Sequence, residues 1–283
     1  MHLPLSLARA NVLAGVLAGP LAIPAYAHEF WIAPEAHQVE VGETVQAELL
    51  VGAMLSGEAY PYLSDQIVAA QLHASAGVTD IEGMEGDLPA LTVTPAEPGL
   101  HVITYHAAPA HIEYEDFETF VTYLAYEGLD DVVRLHKDRE LPDSGFSEAY
   151  IRNARALLQV GPTDPADLDR PTGMPLELIA LQNPFVEGLT ELEVQLLWQG
   201  GPVPNRQVSV FHRAQSDDMS GEDAAGEVTR SLVATDADGR ATIPLVRSGF
   251  YLLNAVQMKP ADGAEGVVWE SHWATLTFAV EVP

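Results

Sequence analysis

The feature that most constrains the fold is a period-two alternation of apolar side chains, which recurs in short runs on both sides of the middle of the chain. It is clearest in Val45, Ala47, Leu49 and Val51, and again in Leu192, Val194, Leu196 and Trp198. Alternation with this period is typical of strands that are buried on one face. We therefore predict a mainly β fold with two immunoglobulin-like β-sandwich units, at residues 28–112 and 176–283.

The residues between the two units follow a helical period instead. Apolar side chains recur at spacings of three and four in two runs, Phe117, Phe120, Val121 and Leu124, then Leu129, Val132, Val133 and His136. This spacing predicts amphipathic helices. A third helix is predicted from Ser147, a candidate N-cap, to about Val160. Residues 113–160 are therefore predicted to be a helical segment, and the proline-rich residues 161–175 a linker.

The N-terminal end has the pattern of an export signal. Residues 11–23 form a short apolar run, and Ala25 and Ala27 fit the small-x-small pattern of a signal peptidase site. We expect residues 1–27 to be a signal peptide and the mature protein to be periplasmic. No other stretch approaches the ~20 apolar residues of a membrane helix, so we expect no membrane insertion of the mature chain.

Cleavage after Ala27 would make His28 the first residue of the mature chain. A terminal histidine has a free amine, with an ordinary pKa of about 8, beside its own imidazole. One residue then offers two nitrogen atoms to a metal ion. The alternative interpretation is that His28 is simply the residue at which cleavage occurs.

Charge and cysteine content limit the partners and the ligands. With 13 basic and 41 acidic residues, the formal charge is −28, which excludes binding to nucleic acid through bulk electrostatics. The absence of cysteine excludes disulfides and thiolate metal sites. Any metal would be bound by imidazole, amine and carboxylate groups, a set that suits nickel, cobalt, copper or zinc.

The other histidines supply candidate metal ligands. His106 and His111 flank a short loop of alanine and proline, where they could converge, so we predict that they complete a site with His28. His101 and His272 are additional candidates. His101 and His106 would face opposite sides of a continuous strand because they are five residues apart. For each of these histidines the alternative is an ordinary polar residue or a hydrogen-bonded core imidazole.

Motifs of known enzymes are missing from the sequence. It contains no nucleophile elbow, no phosphate-binding loop, no dinucleotide fingerprint and no HExxH zinc pattern. Carboxylates are too numerous to single out a pair for acid and base catalysis. We therefore expect no enzymatic activity.

Six sequence segments together resemble a known family of exported bacterial proteins. They are His28-Glu29-Phe30-Trp31-Ile32-Ala33-Pro34, the run from Phe120 to Leu129, the runs Gly173–Ile179 and Gln182–Phe185, the turn Thr235–Arg240, and Trp269–Phe278. The family is catalogued as a domain of unknown function and is often labelled the NikM-like periplasmic component of cobalt/nickel uptake. The resemblance implies a periplasmic, β-rich, non-enzymatic protein that handles transition metals, with a membrane metal transporter as a further partner.

The resemblance carries over one of the histidines and departs from the family at two positions. His28 lies inside the first motif, with Glu29 and Trp31 beside it. Gln257 stands where the family has histidine, and His272 stands where the family more often has an aromatic residue. The chain therefore lacks one histidine that could serve as a ligand in other members.

Three functions are compatible with these observations. The first is a soluble periplasmic protein that binds nickel, cobalt or copper through His28, His106 and His111, with affinity that weakens as the pH falls through about 6.5. The second is an immunoglobulin-like scaffold that binds carbohydrate or protein without a metal. The third is an oxidative copper enzyme with a terminal histidine, which we rank last.

Overall fold

The computed structural model describes residues 29–215, 226–261 and 266–281. The predicted signal peptide, residues 1–27, and His28 lie outside the described residues. Within those three ranges no helix is long and apolar enough to cross a membrane.

The first part of the described chain is made of short strands, in agreement with the alternating pattern. The strands are β1 (Glu29–Pro34), β2 (Gln38–Val39), β3 (Val45–Ala53), β4 (Ser56–Tyr60), β5 (Ile67–Ala74), β6 (Gly77–Asp80), β7 (Leu91–Val93), β8 (Gly99–Ala107) and β9 (Ala110–Tyr114). In β3 the side chains at positions 45, 47 and 49 are buried and those at 46 and 48 are exposed. The period of two therefore marks one buried face.

Two of the three predicted helices form. Helix α1 (Phe117–Glu127) begins after Asp116, whose carboxylate accepts a hydrogen bond of 2.7 Å from the backbone N–H of Thr119. It ends at Gly128, which has a positive φ of 69°. Helix α2 (Asp130–Asp138) follows at once.

The predicted third helix is wrong, because residues 146–160 form the 15-residue strand β10 (Phe146–Val160). Every residue from 153 to 160 is buried. A strand that is covered on both faces has apolar residues at odd and even positions, so some of them fall by chance at helical spacing. Pairing with strands that are distant in sequence then decides the conformation.

The remaining described residues are again strands. They are β11 (Leu176–Ala180), β12 (Glu191–Trp198), β13 (Gly201–Pro202), β14 (Gln207–Ala214), β15 (Val228–Ala234), β16 (Arg240–Pro244), β17 (Gly249–Pro260) and β18 (Val267–Val280). The prediction of a mainly β fold is confirmed.

Three sheets contain these strands. The central sheet has ten strands in the order β15-β14-β17-β18-β10-β8-β5-β6, with β2 and β9 also paired to β10. The first sheet contains β1, β3, β4 and β7, and the third sheet contains β11, β12, β13 and β16. Strand β10 pairs with β18 in parallel and with β8 antiparallel. Strands from both predicted units therefore share one sheet, joined through residues that the sequence pattern assigned to a helix.

The central sheet is covered on both faces. On one face Val102, Leu157 and Leu276 pack against the third sheet in one apolar core. On the other face the first sheet contributes Ile32 and Leu49 to a second core. Beside this core, the two helices form a third core with Trp269, Trp273 and other residues of the central sheet. We call these two faces the third-sheet face and the helix face.

The residues predicted to be a linker, 161–175, contain no strand or helix but are anchored by a buried ion pair. Arg155 contacts the carboxylate of Asp169, and its Nη1 donates to Glu177 Oε2 over 2.8 Å. All three side chains are buried. Asp169 also accepts a hydrogen bond from the backbone N–H of Ala180. This segment is therefore fixed to the central sheet and to β11.

Candidate functional site

A group of five polar side chains, three of them buried, lies where the described chain begins. It comprises Glu29, Tyr126, Glu127, Arg230 and Asn254, and we call it the Glu127 cluster. Glu29, Glu127 and Asn254 are each at most 2% exposed. Carboxylates are rarely buried without a charged partner, so two in one place need an explanation.

Four elements of structure position this cluster. Glu29 is the first residue of β1, and Glu127 is the last residue of α1. Asn254 lies in the middle of β17, and Arg230 lies on β15. Glu127 falls on the apolar face of α1, three residues after the buried Leu124. The packing of α1 on the central sheet therefore carries this carboxylate into the interior.

Hydrogen bonds connect the cluster only in part. Asn254 Nδ2 donates to Glu127 Oε2 over 3.0 Å, and the hydroxyl of Tyr126 donates to Glu29 Oε1 over a long 3.4 Å. Arg230 Nη2 donates to the backbone carbonyl of Tyr126 over 2.8 Å, and its guanidinium carbon lies 3.7 Å from the centroid of the Tyr126 ring. Arg230 therefore makes no ion pair with either carboxylate of the cluster among the described contacts.

The electrostatic environment opposes ionisation of both carboxyl groups. Burial, and then the negative charge of Glu29, raises the pKa of Glu127 to about 8, although the charge of Arg230 lowers it in part. Burial also raises the pKa of Glu29. In addition, Glu127 lies at the C-terminal end of α1, where the helix dipole is negative and the last turn has no basic residue. A cation would relieve all of these effects.

Three polar atoms of the cluster lack a partner. Glu127 Oε1, Asn254 Oδ1 and Arg230 Nε are buried and accept or donate no hydrogen bond within the described residues. Leaving such an atom unpaired costs about 1–3 kcal/mol each. Carboxylate and amide oxygens are ligand atoms for a cation. The two side chains that carry them, Glu127 and Asn254, are joined by the hydrogen bond from Asn254 Nδ2 to Glu127 Oε2.

Three of the histidine candidates, His106, His111 and His272, lie on the other face of the central sheet. Asn254 is opposite Thr275 in the pairing of β17 with β18, whereas Gln257 is opposite His272. Since positions 254 and 257 differ by an odd number, Asn254 and His272 face opposite sides. The ring of His272 contacts Trp198 of the third sheet, with centroids 4.7 Å apart.

His106 and His111 share the third-sheet face with His272. His106 has the same strand parity as Val102, which packs against the third sheet. Burial, and then the charge of His272, lowers the pKa of His106. His111 is exposed and pairs with Ala149.

The structure thus brings His106 towards His272 and not towards Glu29. No group of three or more histidine, aspartate or glutamate side chains within the described ranges is arranged to hold a metal ion. The completion of a site by His28, His106 and His111 stays a prediction, because His28 lies outside those ranges. His101 is buried, and its Nδ1 donates to the carbonyl of Gly99 over 3.1 Å.

A second buried carboxylate, Glu148, contrasts with the Glu127 cluster. Glu148 accepts hydrogen bonds from the hydroxyls of Tyr114 (2.8 Å), Tyr123 (3.4 Å) and Ser271. Trp273 Nε1 in turn donates to Ser271 Oγ over 3.1 Å. Burial raises the pKa of Glu148 to about 7. Both of its oxygens have partners, so this group is complete within the chain.

The sequence analysis missed Glu127 and Asn254, although each leaves a signal in the sequence. Glu127 continues the helical spacing of Phe117, Phe120 and Leu124, which makes it an acid on an apolar helix face. Asn254 interrupts an apolar strand after Leu252 and Leu253. A buried polar residue in an apolar run is the observation that would have selected both.

Comparison with known proteins gives a family. The family model described as "Domain of unknown function (DUF4198)" matches residues 25–259. No curated protein matches the chain.

Three solved structures resemble the chain weakly. A Salmonella alpha-2-macroglobulin mutant is 14% identical over 89% of this chain and 15% of its own, with a TM-score of 0.22. A tetra-tandem repeat from the extending region of a large adhesion protein is 15% identical, over 89% and 49%, with a TM-score of 0.20. The Yersinia pseudotuberculosis adhesin InvE is 14% identical, over 88% and 58%, with a TM-score of 0.20. The chain spans less than two thirds of each of these proteins.

Proposed function

The chain belongs to the family of the domain of unknown function (DUF4198), and we propose that this member is an exported protein that binds a divalent transition metal at the Glu127 cluster. The family description assigns no activity, so the proposal depends on the chemistry of the cluster. We propose no catalytic turnover.

The observation that carries the proposal is the pair of unpaired oxygens, Glu127 Oε1 and Asn254 Oδ1, in a buried site that holds a second carboxylate. A cation would pair with both oxygens and would favour the ionised forms of Glu29 and Glu127. Arg230 does not serve as that cation, because its guanidinium is engaged by the Tyr126 carbonyl and by Ser209.

The ligand atoms of the Glu127 cluster suit a transition metal if His28, the predicted first residue of the mature chain, is included. Glu127, Asn254 and Glu29 supply oxygen atoms. His28 directly precedes Glu29 in the sequence and would supply its imidazole and, after cleavage, its terminal amine. A mixture of nitrogen and carboxylate ligands suits nickel, cobalt, copper or zinc. Binding would require a neutral imidazole and ionised carboxylates, so affinity would fall at low pH.

The proposal has an architectural and a cellular part. We propose that the chain consists of two immunoglobulin-like halves that share the central sheet, since separate apolar cores lie on its two faces. We also propose that residues 1–27 are removed on export to the periplasm. There the protein would assist a membrane metal transporter in cobalt or nickel uptake, in line with the NikM-like label of the resembling family.

The test is a calorimetric titration of nickel(II) and copper(II) into residues 28–283. A control protein carries one extra residue before His28, which converts the terminal amine into an amide. We expect tight binding by the mature form and a loss of about tenfold or more in the control, because one nitrogen ligand is removed. Equal binding by both proteins would exclude the terminal amine from the site.

Two further variants locate the remaining ligands. His106→Ala combined with His111→Ala tests the histidines that the sequence selected, and we expect unchanged affinity because they lie on the opposite face of the central sheet. A large loss would return the site to those histidines. No binding by any form would favour the scaffold function instead.

A further inference from the structure

A pocket of about 360 Å³ lies on the other side of β1 from the Glu127 cluster. Its walls include the aromatic rings of Phe30, Tyr60, Tyr105 and Tyr150, and Arg152 also lines it. Because side chains alternate along a strand, Phe30 and Glu29 project to opposite sides of β1. We call this cavity the Arg152 pocket.

Arg152 is held in place by aromatic rings and not by an acid. Its guanidinium carbon lies 5.2 Å from the centroid of the Phe30 ring and 5.0 Å from that of Tyr150. Within the part of the chain that the structure describes, Arg152 forms neither an ion pair nor a hydrogen bond. Its five N–H groups are therefore available to a ligand.

Arg155, three residues along the same strand, shows what this chain does with an arginine that is purely structural. Arg155 is fully buried and contacts two carboxylates, Asp169 and Glu177. Arg152 is only partly buried, opens into a cavity and forms no ion pair with a described acid. An uncompensated guanidinium in an apolar setting is costly, which favours a binding role over a structural one.

We propose that the Arg152 pocket binds a small monocarboxylate with a flat, apolar body. The fork of N–H groups on a guanidinium matches the two oxygens of a carboxylate. Four aromatic rings around it match a flat body, and the volume is at the lower end of the range for ligand pockets, about 300–1,000 Å³.

The other polar groups of the pocket narrow the class of ligand. The hydroxyl of Tyr60 donates to the side chain of Gln66, and that of Tyr105 donates to the Gln66 backbone carbonyl over 3.4 Å. Neither hydroxyl is thus the principal donor for an anion. Asp65 lies at the rim and is exposed, so a second negative charge on the ligand would be repelled. A single carboxylate suits this arrangement better than phosphate.

The experiment compares benzoate with benzamide, which has the same shape and no charge, by titration into residues 28–283 followed by NMR. We expect benzoate to bind at least about tenfold more tightly than benzamide and than inorganic phosphate, because only benzoate pairs bidentately with Arg152. Equal binding of benzoate and benzamide, or no binding of benzoate, overturns the proposal. This comparison needs no variant.

Variants then assign the contact to Arg152. Arg152→Met keeps a long side chain and removes the charge, and we expect benzoate affinity to fall about tenfold. Arg152→Lys keeps the charge without the fork and should give an intermediate loss. Glu127→Gln is the matched control, because it alters the other side of β1 and should leave benzoate binding unchanged. Full benzoate affinity in folded Arg152→Met would contradict the proposal.

Discussion

Two buried glutamates on the helix face of the central sheet differ in the partners of their carboxyl oxygens. Glu148 accepts hydrogen bonds from three hydroxyl groups, and neither of its oxygens is left over. Glu127 accepts one from Asn254 and keeps Oε1 unpaired beside a second acid, Glu29. Both carboxyl groups have raised pKa values because of burial. The difference teaches that burial alone does not distinguish the two carboxyl groups, and that the unpaired oxygen of Glu127 is the feature on which the proposed metal site depends.

The two arginines of β10 repeat this comparison with the opposite charge. Arg155 pairs with two acids of the chain, Asp169 and Glu177. Arg152 pairs with no acid of the described residues and opens into a cavity. A structural group should be costly to remove, and a binding group should be cheap to remove.

The largest expected effect is on the stability of Arg155→Met. This change leaves two buried carboxylates without their partner, so we expect the free energy of unfolding to fall by about 3–5 kcal/mol in urea denaturation. Arg152→Met is the matched control on the same strand and should cost about 1 kcal/mol, from loss of the guanidinium contacts with the Phe30 and Tyr150 rings. Similar losses in the two variants would remove the distinction between them.

The next effect is the pH dependence of stability. Glu148 has a pKa raised from 4.5 to about 7 in the folded protein, so the fold is most stable while this group is protonated. Its contribution is complete below pH 4.5 and is lost as the pH rises through 7. We expect Glu148→Gln to be more stable than the unchanged chain at pH 8 by up to about 3 kcal/mol, and equal to it at pH 4.5.

Stability should also fall with rising pH as Glu127 ionises, because its pKa is raised to about 8. Without metal, Glu127→Gln should therefore also reduce the loss of stability at alkaline pH, and the double variant should show the flattest profile. Urea denaturation at several pH values measures the free energy of unfolding of Glu148→Gln, Glu127→Gln and the double variant. A double variant that still loses stability between pH 5 and 8 would show that other groups dominate.

A smaller effect on stability is expected from removing the hydroxyl of Tyr114, which contacts Glu148, or that of Tyr126, which contacts Glu29. At pH 8, where Glu148 is ionised, Tyr114→Phe removes the 2.8 Å hydrogen bond to its carboxylate and should cost about 1.5–2 kcal/mol, since hydrogen bonds to a charged group are the stronger kind. Tyr126→Phe removes only the 3.4 Å contact with Glu29 and should cost about 0.5 kcal/mol. Thermal unfolding of the two variants provides the comparison. The reverse order would mean that the Glu127 cluster is held more tightly than its geometry indicates.

The sequence predicted much of the fold and little of the site, for physical reasons. Alternation located β3 and β12, because one face of each is buried. It failed for β10, which is buried on both faces and therefore carries no period of two. The two helices were predicted because each has one apolar stripe.

Site residues are harder to predict from the sequence, because they are brought together by elements that lie far apart along the chain. Glu29, Glu127 and Asn254 are brought together by the packing of β1, α1 and β17, and no local spacing encodes that arrangement. The histidines were selected for their ligand chemistry alone. Strand parity, which needs the sheet register, is what places His106 and Asn254 on different faces.

The most direct test of the central claim is a nickel(II) titration of Glu127→Gln beside Glu148→Gln, each in residues 28–283 at pH 8. Both variants replace a buried carboxyl by an amide of the same shape, so the comparison tests whether the free oxygen of Glu127 matters for binding. The account predicts that Glu127→Gln weakens nickel binding by about tenfold or more and that Glu148→Gln leaves it unchanged. Equal affinity in the two folded variants would contradict it.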